Sequence, residues 1–173
     1  EGFTSYYDNL IMRHTNYYSQ KKYLENIADD FSALDNTPGS RIQSVSEASL
    51  DAWIKYYRPN ENSKNSTVSY YTKGGVIGAC MDLIIINATN GEKSLSDVMK
   101  FMYETYYKKE NRGYTDAEFK AAIEKISGIN MNDFYTKYIY GTTPIPYQEF
   151  LSYAGLTIVD DNASKNDASL NIS

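Results

Sequence analysis

Two short stretches hold most of the residues able to do chemistry. The chain opens Glu1-Gly2-Phe3-Thr4-Ser5-Tyr6-Tyr7, and further on it reads Tyr70-Tyr71-Thr72-Lys73-Gly74. A carboxylate at the head of an amphipathic helix has two readings. It can complement the positive helix N-terminus, the commoner role, or it can be a metal ligand aimed into a cleft. Spacing alone favours the first. The remaining inventory excludes most catalytic templates. A single histidine, His14, rules out an H-E-x-x-H motif within the chain. There is no G-x-S-x-G elbow and no phosphate-binding loop, and Gly74-Gly75 lacks the flanks of either nucleotide motif. His14 reads as a solvated or helix-capping residue just past the first helix. Cys80 is the one cysteine, so neither an internal disulfide nor a multi-cysteine zinc knot can form. Its apolar surroundings predict a buried, inert thiol.

Helices must position these residues. Phe3, Tyr6, Tyr7, Leu10 and Ile11 recur at helical spacing over 3–13. Ser19 can cap a second helix with an apolar stripe from Tyr23 to Leu34, stopped at Asn36-Thr37-Pro38-Gly39. Ser46 is a plausible N-cap for a short helix with Leu50, Trp53, Ile54 and Tyr57 on one face. On that reading Trp53 is core and Arg58 is a helix C-terminal charge. The polar segment 59–67 is turn-forming. From Tyr71 to Asn87 the chain is apolar on nearly every side, which predicts a central buried helix. Lys73 would face water from its first turn, and Gly74, Gly75 and Gly78 would admit a neighbouring helix closely. Ser94 with Asp97, the T-x-x-E box at Thr115, Asn132 and Pro146 open four further helices. The sum is an all-α domain of about eight helices over 1–158, with a polar, disordered tail over 159–173.

Composition narrows the partners. The net charge is −5 across 173 residues, and no basic run is longer than two residues. A nucleic-acid partner is therefore not expected. No apolar stretch reaches the length of a membrane span. Glu1 is not an initiator methionine, and the natural polypeptide is expected to continue upstream.

The opening stretch, continued by Asp8, resembles the segment carrying the third zinc ligand in gluzincin metallopeptidases. It is most similar to the glycyl aminopeptidase family, the sixty-first metallopeptidase family. The likeness continues through Asp51-Ala52-Trp53-Ile54-Lys55-Tyr56-Tyr57-Arg58-Pro59 and Ser69-Tyr70-Tyr71-Thr72-Lys73-Gly74. It closes at Pro146-Tyr147 and Tyr153-Ala154-Gly155-Leu156, so about residues 1–158 are covered in order.

The resemblance implies a zinc-dependent aminopeptidase acting near a free N-terminus, on glycine or another small residue. Glu1 would be the third zinc ligand, and Tyr71 would donate a hydrogen bond to the oxyanion. Tyr70 takes that role if the register differs by one. Ser5 would orient a metal-bound histidine from behind. The other two zinc ligands and the general base belong to an upstream H-E-x-x-H helix, and a PDZ-like domain would follow downstream. The partners implied are thus a peptide substrate and the remainder of the same polypeptide, in a bacterial cytoplasm or cell envelope. Without the upstream helix, these 173 residues are expected to be inactive. The competing reading is a non-catalytic helical module that binds peptide or protein through its tyrosine-rich face and the 59–67 loop.

Overall fold

A computed structural model describes residues 1–159. The chain is 65% helical, with no strand among the described residues. The tail expected to be disordered, apart from its first residue, lies outside them.

Local sequence sets the helix starts. α1 (Gly2–His14) begins directly after Glu1, and His14 is its last residue rather than the first beyond it. α2 (Gln20–Asp35) is capped by Ser19, whose hydroxyl accepts from the Lys22 amide. α3 (Val45–Leu50) is capped by Ser44, two residues before the Ser46 cap expected from sequence. Ser44 and Glu47 form a reciprocal capping box there, because Glu47 stands three residues after Ser44 and not after Ser46.

α3 then ends at Leu50, and residues 51–57 are a run of turns. The predicted buried face does not exist, because a run of turns lacks the 3.6-residue period that would align it. Leu50, Trp53 and Ile54 are 87%, 79% and 71% exposed, so Trp53 is a surface residue and not core. Arg58, exposed beyond those turns, caps no helix. A one-turn helix, α4 (Ser63–Ser66), interrupts the polar segment expected to be a loop.

α5 (Tyr70–Ala88) is the central element, and α1, α2, α3 and the later helices α7 (Asp116–Ser127) and α9 (Tyr147–Ser152) all pack on it. Ser69 caps it by accepting from the Thr72 amide. α6 (Leu95–Met102) continues as a π-helical stretch to Lys109. α7 (Asp116–Ser127) has the capping box expected at Thr115 and ends on Gly128, whose φ of 75° suits glycine. α8 (Asn132–Phe134) likewise widens into π turns to Ile139. Pro146 lies just outside α9 (Tyr147–Ser152).

Met81, Ile85, Leu95, Val98, Ile123 and Met131 form the fully buried centre. Cys80 belongs to it, and burial pushes its thiol up to about 12, as an inert cysteine requires. Lys73 departs from expectation: it is 2% exposed. Its ammonium donates to the Ser40 and Gln43 carbonyl oxygens at 3.2 and 3.4 Å. Those carbonyls replace the water that a first-turn lysine would otherwise need.

Candidate active site

The site is built where α1 crosses α5. A Cβ placed on Gly2 would lie 2.4 Å from the Gly74 Cα, and one on Gly74 would lie 2.7 Å from the Gly2 Cα. Both contacts are to backbone, so neither position admits a side chain without moving a helix. The crossing brings the residue before Gly2 beside the first turn of α5. Glu1 and Tyr70 consequently line the same cleft of about 460 Å³. Its deeper wall is apolar, with Phe3, Ile77 and Phe119, and Asp116 adds a second carboxylate at the mouth.

Tyr71 sits beside this cleft rather than in its lining, and its place is set by a third phenol. The Tyr57 hydroxyl lies 2.8 Å from that of Tyr70 and 2.7 Å from that of Tyr71. The Tyr56 ring packs edge-on against Tyr57 at 5.3 Å and against Tyr70 at 5.4 Å. Trp53 leans on Tyr57 at 5.2 Å. Tyr70 and Tyr71 are both held above the usual phenol range, first by their hydrogen bonds to Tyr57. The Glu1 charge also raises Tyr71. Both phenols therefore stay protonated, and remain donors, across the neutral range.

Glu1 makes no side-chain capping bond to α1, which leaves its exposed carboxylate free to take a ligand. Ser5 is turned differently. Its hydroxyl donates to the Glu1 carbonyl oxygen at 3.3 Å, and its Cβ faces Gly75 of α5. His14, at the other end of α1, is roughly 20 Å of helix away from Glu1. No group of three metal-binding side chains occurs among the described residues. They do not make a complete zinc centre: what the cleft offers is the uncapped Glu1 carboxylate at its rim, with Asp116 also lining it.

Sequence reasoning missed Tyr57, which it placed on the apolar face of a helix. A signal was available in the run Tyr56-Tyr57-Arg58-Pro59. Proline disfavours helix in the residue before it, and two tyrosines ending such a run need hydroxyl partners.

Comparison with known proteins followed the same stretch of chain. Residues 1–77 match a family model described as M61 glycyl aminopeptidase. That segment contains Glu1, Tyr57, Tyr70, Tyr71 and both crossing glycines. The family is the one that the motifs resemble, and the match supports a peptidase-related role. No curated protein and no solved structure matches the chain significantly.

Proposed function

We propose, because residues 1–77 match the family model described as M61 glycyl aminopeptidase, that the chain is the helical part of a zinc-dependent aminopeptidase's catalytic unit. One observation carries this reading: the Gly2–Gly74 crossing brings the uncapped Glu1 carboxylate and Tyr70 to one cleft, with Tyr57 and Tyr71 hydrogen-bonded beside it. Glu1 would hold zinc together with two histidines of an upstream H-E-x-x-H helix in the same polypeptide. When bound, zinc supplies an acidified water and polarises the scissile carbonyl.

The chain's own contribution is orientation and charge stabilisation. Tyr71 donates its hydroxyl proton toward the carbonyl oxygen as negative charge grows there. Tyr70 is the donor if the substrate sits one position over. The apolar wall of Phe3, Ile77 and Phe119 excludes water behind the reacting bond. Ser5, bonded to the Glu1 carbonyl, steadies the first turn of α1 and with it the ligand. Glycine or another small residue at the substrate's N-terminus follows from the family, and a PDZ-like domain would follow downstream.

The test uses the full-length polypeptide with a glycyl p-nitroanilide. Glu1→Gln should lower both zinc content and turnover. Tyr71→Phe should keep the zinc and lower kcat on the order of 10²-fold, with KM little changed. Full zinc content and normal turnover in Glu1→Gln would sink the ligand assignment. The exposed Leu50, Trp53 and Ile54 favour a second reading, a non-catalytic binding module. A full-length polypeptide with no stoichiometric zinc would decide for it.

A further inference from the structure

Tyr57 comes from the turns after α3, whereas Tyr70 and Tyr71 come from the first turn of α5. Their meeting is a tertiary contact. Its hydroxyl reaches both partners at 2.8 and 2.7 Å. Tyr56 and Trp53 pack against its ring, so the hydroxyl is held by more than its own rotamer. The titratable groups facing this cluster are Tyr56 from the same turns and Glu1 from the head of α1.

Each phenol has one proton to give and an oxygen that can accept. While Tyr71 donates to Tyr57, its proton is turned away from any substrate. For Tyr71 to donate outward, Tyr57 must reverse and donate to it, and Tyr70 is placed to supply the bond that Tyr57 then accepts. We infer that Tyr57 is a positioning residue that completes a one-directional hydrogen-bond chain, Tyr70 to Tyr57 to Tyr71 to the carbonyl oxygen of the substrate. This rests on the proposed role of Tyr71. No covalent bond changes in the reversal. Each proton stays on its own oxygen, and only the hydroxyl rotors turn. A hydroxyl that accepts a hydrogen bond is polarised and donates more strongly, so the chain strengthens Tyr71 as negative charge develops.

Two readouts test it. In the 173-residue chain labelled with [13Cζ]tyrosine, Tyr57→Phe should move the Tyr70 and Tyr71 signals at neutral pH. An unmoved Tyr71 signal overturns the contact. In the zinc-loaded full-length polypeptide, Tyr57→Phe should lower kcat about tenfold, the scale of one hydrogen bond, and change KM less than about twofold. In a Tyr71→Phe background the same substitution should lower kcat no further. A loss that persists undiminished there overturns the chain and leaves the role of Tyr71 standing. Full turnover in Tyr71→Phe itself overturns the reading beneath it. Where Tyr57→Phe does not fold, Tyr70→Phe breaks the chain at its far end, and the same cycle decides.

Discussion

Lys73 shows how burial changes what a single residue can do. With its ammonium held by two carbonyl oxygens and little water, desolvation lowers its pKa to about 8. The unfolded chain keeps the proton up to about 10.4, so between pH 8 and 10 the unfolded state binds more protons. Stability from this group should therefore rise with pH across that window. The buried tyrosines act in the opposite sense. Tyr6, Tyr135 and Tyr147 are all raised, first by desolvation, so above pH 10 the folded state holds protons that the unfolded state releases. Stability should fall there. Urea unfolding at pH 7, 9 and 11 checks both arms. In Lys73→Met the rise between pH 7 and 9 should vanish while the fall above 10 remains, and a rise that survives would show that another group causes it.

At the scale of elements, the α1–α5 crossing separates three glycines that look alike in sequence. In a helix interior Gly→Ala is favourable by roughly 1 kcal/mol on propensity alone. Gly75 should realise that gain, because its added methyl would meet the Ser5 Cβ at 3.4 Å, an ordinary contact. Gly74→Ala should do the reverse. Its methyl would fall 2.7 Å from the Gly2 Cα, and the helices must part, at about 1–3 kcal/mol. Thermal unfolding should thus give Tm shifts of opposite sign for adjacent residues. Equal shifts would mean that the crossing is looser than the geometry indicates. Gly78 lies between the two cases: its added methyl would sit 3.2 Å from the Tyr6 Cβ, which moves only with the α1 backbone, and 3.3 Å from the Phe3 ring. Leu50, Trp53 and Ile54 carry a lesson about chain length. α3 is only six residues long, and Leu50 at its end and Trp53 and Ile54 beyond it face solvent because the helix that would turn them inward stops.

Across the whole molecule, one buried carboxylate joins three helices. Asp82 of α5 accepts from the Tyr6 hydroxyl of α1 and, at 2.6 Å, from the Leu95 amide at the start of α6. Asp82→Ala would orphan both donors in the core, each costing about 1–3 kcal/mol. Urea unfolding should show a loss of roughly 3 kcal/mol, several times that of an exposed Asp133→Ala; parity between the two would remove Asp82 from the framework. The metal prediction also belongs at this scale. One carboxylate corner is a poor zinc site, so the 173-residue chain alone should show only weak zinc binding by calorimetry and no aminopeptidase turnover. Tight, stoichiometric zinc in that chain would mean that its ligand set is not the one proposed.

The helical class, the caps at Ser19, Thr115 and Gly128, the buried Cys80 and, to within one residue at each end, the central helix were all legible in the sequence. Each depends on short-range spacing, and hydrogen bonds between neighbours in the chain enforce it. Glu1 and the tyrosine pair were singled out differently, by the order of motifs that resembles a known family and not by spacing. What only the tertiary structure decided is where those residues meet. Burying Lys73, exposing Trp53 and bridging two phenols through Tyr57 all depend on contacts between residues 13 or more apart in the chain, or on a helix ending early. Periodicity carries no information about either. The same holds for Gly2 and Gly74: each is a permissive residue in sequence, and together they are the contact that sets Glu1 beside the tyrosines.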